Sequence, residues 1–129
     1  MDKNELRIGN WVNEEVLGNC AVSDICEHVV MVKVNNGRLD GTTSKVTYTL
    51  NYNCISAIPL TEEWLLDFGF EKDELGWFFK ENDYCSFGLF FKNNEWLFYI
   101  SDTKIKYVHQ LQNLYFALTN NELTNKLQM

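Results

Sequence analysis

The sequence predicts an α+β protein in which a small N-terminal β unit is followed by a helix, a four-stranded antiparallel meander and a second helix. Three observations lead to this prediction: short apolar pieces between turn residues before Pro59, helical spacing directly after it, and aromatic-rich segments between 75 and 108. Pro59 is the single proline and marks the change of pattern. We therefore expect two subdomains, 1–58 and 59–129, within one compact protein.

The first 58 residues have the pattern of a small all-β unit. Tight-turn residues occur at Gly18-Asn19, Asn35-Asn36-Gly37 and Asp40-Gly41. The apolar and β-branched pieces that they separate lie at 11–12, 21–25, 29–34, 46–50 and 55–58. Five strands of this length and spacing predict a small barrel of the SH3-like kind.

The segment after Pro59 predicts a short helix. Thr61 is a favourable N-cap, and two glutamates follow it in the first turn, where negative charge suits the helix dipole. Gly69 stands where a helix commonly ends in a left-handed conformation. The tripeptide DFG at 67–69 holds magnesium in protein kinases, but the glycine-rich loop and the HRD motif of kinases are missing. We therefore expect Asp67 to be a solvated residue at a helix end.

Four aromatic-rich segments follow this helix, at 75–80, 84–92, 95–100 and 104–108. Their short polar connections demand antiparallel pairing of neighbouring strands. Apolar residues at helical spacing over 108–118 then predict a second helix that lies across one face of the meander.

Composition excludes several classes of function. Eleven basic and eighteen acidic side chains give a net charge of -7, which argues against general nucleic-acid binding. No segment has the apolar length of a secretion signal or a membrane span, so we expect a cytoplasmic protein without membrane association. The four cysteines are expected to be buried thiols, because they have neither the context of a disulfide framework nor the spacing of zinc ligands. No motif indicates a cofactor or a metal.

A small hydrolase is the alternative to a binding function. Cys26 and His28 would share a face of a strand, and carboxylate pairs occur at Glu14-Glu15 and Glu62-Glu63. A Cys/His pair also needs contact and an orienting group, and adjacent carboxylates are commonly solvated. The chain has no GxSxG, HExxH, phosphate-loop or dinucleotide motif. We therefore favour a non-enzymatic protein.

The densest positive cluster in this acidic chain predicts a ligand site. Lys104 and Lys106 alternate onto one face of a strand, and His109 follows at the start of the second helix. We expect this cluster to bind a small anionic or nucleotide-like ligand beside an aromatic side chain, Trp77 or Tyr84. The alternative is that the lysines are solvated residues that protect an edge strand.

Two further expectations rest on aromatic residues. Arg7 and Trp11 form a second candidate site, with a core position as the alternative for Trp11.

Four Trp, six Tyr and nine Phe are many for a chain of this size, and aromatic edge strands left bare would aggregate. We therefore expect a homodimer that buries Trp77 or Trp96 near the two lysines, with a monomer as the alternative.

Three blocks of the sequence resemble a known group of proteins: LRIGNWV at 6–12, IPLTEEWLLDFGF at 58–70 and IKYVHQLQNLYFALT at 105–119. They are similar, in this order, to blocks in short proteins of gut anaerobic bacteria and of their phages and mobile elements. The resemblance covers about a third of the chain and implies no activity or site residue, since none is established for that group. It implies a phage or mobile-element origin, which fits a protein that sequesters a nucleotide-like ligand or occupies a host protein to counteract host defence.

Overall fold

The computed structural model describes residues 1–37, 43–81, 86–101 and 103–124. Over these residues the fold contains ten strands in two antiparallel sheets and two α-helices, which confirms the α+β class. The chain divides into two compact units, Met1–Ile58 and Pro59–Met129. No helix within the described ranges is long and apolar enough to cross a membrane.

The first unit is a five-stranded antiparallel sheet in the order β4-β3-β2-β1-β5. Its strands are β1 (Trp11–Glu14), β2 (Gly18–Ile25), β3 (Val29–Gly37), β4 (Thr43–Asn51) and β5 (Ile55–Ser56). A one-turn 3₁₀ helix, Tyr52–Cys54, precedes β5. The predicted turn at 35–37 was wrong, because these residues continue β3 and pair with 43–45 of β4. The Asp40-Gly41 turn lies outside the described residues.

Period-two alternation builds the core of the first unit. Alternate residues of the strands are buried together with Leu6, so that one side of the sheet forms an apolar cluster. This cluster consists of Leu6, Val12, Cys20, Val22, Val30, Val32 and Ile55.

The second unit is a helix, a five-stranded sheet and a second helix. Helix α1 (Glu62–Asp67) is followed by β6 (Glu71–Lys72), β7 (Phe78–Glu81), β8 (Ser86–Lys92), β9 (Glu95–Phe98), β10 (Lys104–Ile105) and α2 (Val108–Thr119). Each strand pairs antiparallel with the next, in the order β10-β9-β8-β7-β6. The antiparallel meander is confirmed, but it has a fifth strand, β6, which two charged residues form without any apolar alternation.

The DFG tripeptide ends helix α1, as its local sequence predicts. The Thr61 hydroxyl accepts a hydrogen bond from the Trp64 amide at 3.4 Å, which caps the N-terminus. Gly69 has φ +89°, its amide donates to the carbonyl of Leu66, and the Phe70 amide donates to the carbonyl of Leu65, both at 3.0 Å. This pair of bonds is the Schellman arrangement. Asp67 is exposed, and no group of three potential metal ligands occurs among the residues that the structure describes.

The two faces of the second sheet differ in what covers them. The inner face is buried, and Tyr115 of α2 lies on it with its ring 5.3 Å from that of Phe87. Its buried strand residues are Phe78, Phe87, Leu89, Trp96, Phe98 and Ile105. We call the opposite side the outer face; its apolar residues, which alternate with those of the inner face, are Trp77, Phe79, Phe90, Leu97 and Tyr99.

Gly69→Ala should lower the free energy of unfolding by about 1–2 kcal/mol, because a side chain is disfavoured at positive φ and the new Cβ meets a neighbour. That Cβ would lie 2.8 Å from the Lys80 amine, which donates to the Phe68 carbonyl. Gly76→Ala is the matched control, since Gly76 has φ +92° but no neighbour within 4 Å of an added Cβ. In urea unfolding we expect a smaller loss for the control and almost none for Asp67→Ala. Equal losses for the two glycine variants would contradict the role given to the lysine contact.

Candidate functional site

A groove in the second unit contains both lysines that the sequence singles out. It encloses about 380 Å³ along the β10 edge of the sheet, and we call it the Lys104 groove. Its lining residues are Pro59, Leu60, Phe91, Asn94, Glu95, Trp96, Lys104, Ile105 and Lys106. Aromatic, apolar and charged side chains therefore meet in a single concave surface, which is the usual composition of a small-ligand site.

The β8–β9 hairpin forms the aromatic floor of the Lys104 groove. Asn93 and Asn94 form its two-residue turn with φ of +53° and +61°, values that asparagine tolerates and that type I′ hairpins require. This turn fixes the register in which Phe91 stands opposite Trp96. The two ring centroids are 4.8 Å apart, and Phe91 keeps 53% of its surface exposed. A large, flat apolar surface is therefore presented to solvent inside the groove.

A backbone segment forms the wall of the Lys104 groove. The Leu60 amide donates to the carbonyl of Lys106 at 2.9 Å, and Pro59 forms an isolated bridge with Tyr107. The indole N–H of Trp96 donates to the Leu60 carbonyl at 3.1 Å. Because both polar groups of Leu60 are bonded to the sheet, the wall is held rigidly against the floor.

The two lysines of the groove differ in their electrostatic surroundings. Lys104 Nζ lies 3.3 Å from Glu95 Oε1, an ion pair that is more than a third exposed on both sides. The backbone of Lys106 is fixed, since its amide donates to Gln110 Oε1 at 2.9 Å, but its side chain is exposed. Within the described residues, the Lys106 amine has no ion-pair partner. Among the described residues, the groove therefore carries one lysine that is paired with a carboxylate and one that is not.

The structure brings together only part of the predicted ligand cluster. His109 is buried on helix α2 at 2% exposure, and its ring stacks on that of Tyr107 at 5.9 Å, so its imidazole is not on the exposed lysine surface. Trp77 is on the outer face against Phe90 at 4.7 Å and lines a different cavity. Tyr84 lies outside the described residues.

The aromatic partners of the lysines are residues that sequence reasoning missed. Phe91 and Trp96 line the groove in the places that Trp77 and Tyr84 were expected to occupy. A usable signal was present, because Asn93-Asn94 between two apolar strands indicates a two-residue hairpin that pairs Phe91 with Trp96. Lys104 and Ile105 then follow one strand further along the meander.

The second candidate pair does not form an open site. Trp11 is buried in β1 of the first unit, which is the core alternative that the sequence left open. Arg7 is half-buried in a turn in which its amide donates to Asn10 Oδ1 at 2.7 Å and Gly9 has φ +96°. Both residues therefore have structural positions: Arg7 lies in the turn that leads into β1, and Trp11 lies in β1 itself.

The groups invoked for a hydrolase are not arranged for catalysis. The His28 imidazole is 86% exposed, and its contact among the described residues is a long one, 3.9 Å from Glu27 Oε1. Cys26 lies in the same tight turn, where its amide donates to the Val29 carbonyl at 3.0 Å. Within the described part of the chain, this solvated imidazole has no close contact with an orienting group of the kind that activates a nucleophile. No cluster of three potential metal ligands occurs within the described ranges.

One member of each carboxylate pair has a structural partner instead. One oxygen of Glu14 accepts the amides of Val16 and Leu17, at 2.9 and 2.6 Å, and so closes the β1–β2 turn. Glu62 lies 3.3 Å from the Lys72 amine in an exposed ion pair. Neither carboxylate is buried, and each is held by the structural contact just described.

Comparisons of the chain with protein-family models, with curated proteins and with solved structures found no match. The function must therefore be argued from the geometry of this chain.

Cys20 should resist alkylation in the folded protein. Burial, with a smaller contribution from nearby Glu14, raises the pKa of the Cys20 thiol to about 11. At pH 8 such a thiol is thiolate only about one time in a thousand, and only the thiolate reacts. Cys54 is exposed, so the expectation of four buried thiols was wrong for this residue, and it is the matched comparison. Iodoacetamide labelling mapped by mass spectrometry should modify Cys54 at least a hundredfold faster; equal rates without denaturant would contradict the buried position.

Proposed function

We propose that the protein is a non-enzymatic binding protein of phage or mobile-element type, and that the Lys104 groove binds a small anionic, nucleotide-like ligand. The observation that carries the proposal is the half-exposed ring of Phe91, packed on Trp96 in a groove that the exposed Lys106 also lines. A planar base can stack on an aromatic ring whatever its hydrogen-bonding pattern, for about 1–3 kcal/mol. A phosphate suits the lysine amine.

The electrostatics of the groove favour an anion of low charge. Lys106 can meet a phosphate directly, whereas Lys104 must share its amine between the ligand and Glu95. A long nucleic acid would be repelled by the chain as a whole, because its net charge is -7. We therefore expect a mononucleotide or a short nucleotide signal rather than DNA or RNA.

Sequestering such a ligand, or occupying a host protein, would serve to counteract host defence. The role follows from the resemblance to proteins of phages and mobile elements.

The small hydrolase based on Cys26 and His28 is the second candidate function. The observation against it is that the His28 imidazole is solvated.

We further propose an SH3-like layout for the first unit. Five antiparallel strands in the order β4-β3-β2-β1-β5, with a 3₁₀ turn directly before the last strand, support this assignment. Folds of this kind host many unrelated functions, so the layout does not select the ligand.

The proposal includes a homodimer that buries one of two tryptophans. Trp96 is only 9% exposed and already contacts Phe78, Phe91 and the Leu60 carbonyl within its own unit. Trp77 is half-buried and retains surface that a second copy can cover. This difference favours Trp77 as the interface residue.

Lys106→Ala should weaken binding of adenosine 5′-monophosphate by about tenfold, which corresponds to roughly 1.4 kcal/mol. Phe91→Ala should weaken it at least as much by removing the stacking surface, and Lys104→Ala should weaken it less. Isothermal titration at low salt, with adenosine and inorganic phosphate as separate probes, measures these effects. Lys33→Ala, an exposed lysine of the first unit, is the control. Equal affinities for Lys106→Ala and Lys33→Ala would refute the groove as the anion site.

A binding protein should return its ligand chemically unchanged. We expect that a ligand captured from a bacterial extract is released intact on denaturation, and that Cys26→Ala and His28→Ala release the same compound as the unaltered protein. Native mass spectrometry followed by analysis of the released compound makes this measurement. Release of a cleaved product that disappears in either variant would instead support the hydrolase.

A further inference from the structure

We infer that the outer face of the second sheet carries a further ligand site, a cavity beside Gly88 that binds a quaternary ammonium group. Among the residues that the structure describes, none lines both this cavity and the Lys104 groove, and the inference does not depend on the function proposed for that groove. It rests on three features of the cavity: a glycine in the central strand, aromatic side chains around it, and negative charge at its rim.

The cavity owes its depth to Gly88, which lies on the outer face of the central strand β8. Gly88 pairs in register with Phe79 of β7, so the two residues are on the same face. A glycine inside a strand commonly marks a close approach to the backbone. Here the approaching group is the Tyr99 ring, since a Cβ added to Gly88 would lie 3.3 Å from Tyr99 Cδ1. The cavity beside this contact encloses about 220 Å³, against about 30 Å³ for one water molecule in the liquid, so it accommodates a group of several heavy atoms.

Aromatic side chains form walls that are already in place. Tyr99 is fixed at two points, because its amide donates to the Gly88 carbonyl at 3.1 Å and its hydroxyl donates to the Ser86 carbonyl at 3.0 Å. The Trp77 ring packs on a neighbouring aromatic ring of β8, with the centroids 4.7 Å apart. Since contacts within the sheet hold these walls, binding a ligand requires little additional ordering. The aromatic residues of the outer face that line the cavity are Trp77, Phe79 and Tyr99.

The rim of the cavity carries negative charge. Asp73 lines the cavity, and its Oδ1 accepts two backbone amides of the turn between β6 and β7, both at 2.9 Å, which fixes the carboxylate. Glu71 pairs in register with Phe79, and Glu81 follows Phe79 by two residues, so both acids are on the same face. No lysine or arginine is among the described residues that line the cavity. The local field therefore disfavours an anion and favours a cation.

The lining selects a quaternary ammonium over other cations. A cation beside aromatic rings is attracted by their electron-rich faces, most strongly by that of tryptophan. A primary ammonium brings three N–H donors and strong hydration, and the described lining offers few acceptors for them, because Asp73 Oδ1 already accepts two amides. A buried donor without a partner would oppose binding. A quaternary ammonium has no N–H donor, and its methyl groups can pack on the aromatic walls.

Titrations followed by NMR test the inference with two probes of the same shape. Choline carries a quaternary ammonium, and 3,3-dimethyl-1-butanol is its neutral isostere, with carbon in place of nitrogen. We expect choline to shift the signals of the Gly88 amide and the Trp77 indole N–H, and the isostere to bind about tenfold more weakly, because it lacks the attraction to the rings and the rim. Equal affinities would overturn the cation assignment. Unchanged signals at roughly 50 mM choline, far above a millimolar dissociation constant, would overturn the site itself.

Two substitutions separate the charge at the rim from the net charge of the chain. Asp73→Asn removes the charge but keeps an oxygen for the same two backbone bonds, so the fold should be retained and choline should bind about threefold to tenfold more weakly. Asp24→Asn is the matched control, because Asp24 is an exposed residue of the first unit whose Oδ1 also accepts a backbone amide, at 2.9 Å. The choline affinity of this control should be unchanged. Equal losses in the two variants would mean that net charge alone acts, and would contradict the site.

A third substitution tests the aromatic wall. Phe79→Leu keeps an apolar side chain but removes the ring, so it should weaken the binding of choline and leave that of the neutral isostere unaltered. Equal losses for the two probes would overturn the attraction between the cation and this ring.

The same chemical group occurs in small molecules and in trimethylated lysine side chains. A peptide that contains one trimethylated lysine, titrated beside choline, distinguishes these two sources. An affinity at least about tenfold above that of choline assigns a modified protein as the ligand, because the flanking peptide then adds contacts. An equal or lower affinity assigns a small molecule, and both results support a quaternary ammonium site.

The homodimer proposed above covers Trp77, so a second copy and a quaternary ammonium would compete for this cavity. Light scattering during the choline titration separates the two proposals. A mass that falls toward 15.2 kDa as choline is added supports both. A mass that stays at 15.2 kDa while choline binds overturns only the homodimer. A dimer that binds choline without any change of mass overturns only the place of Trp77 in its interface.

Discussion

The side chain of Trp96 joins the aromatic core of the second unit to the backbone that forms the groove wall. Its ring meets Phe78 edge-on at 5.3 Å on the buried side and Phe91 at 4.8 Å on the exposed side, and its N–H bonds to the Leu60 carbonyl. A buried indole N–H without a partner would cost about 1–3 kcal/mol, so the wall and the core stabilise each other. The shape of the Lys104 groove depends on this one side chain.

Each strand of the second sheet contributes side chains to both faces of the sheet. Because side chains alternate across a strand, β8 sends Phe87 and Leu89 into the core and Phe90 to the outer face. Helix α2 packs on the inner face, where Tyr115 contacts Phe87. The high aromatic content is therefore divided between internal packing and surface that is available for recognition.

Local rules predicted most elements but failed where pairing overrode them. Gly69 was assigned correctly, because a left-handed helix end depends on neighbouring residues alone. Strand β6 was missed, since Glu71 and Lys72 form a strand only through their pairing with β7. The turn at 35–37 was wrong for the same reason, as the ladder with β4 extends β3 through residues that favour turns in isolation.

The sequence by itself determined the α+β class, the change of pattern at Pro59 and the short helix ended by glycine, because each follows from composition, periodicity or one local conformation. It also predicted Lys104 and Lys106 on one strand, but β10 ends at Ile105 and Lys106 directly follows it. Only the tertiary structure decided that His109 is buried and that Phe91, rather than Trp77, lies beside the lysines. The physical reason is register: which side chains meet across a sheet depends on hydrogen bonds between strands, and a shift of one residue would reverse every face.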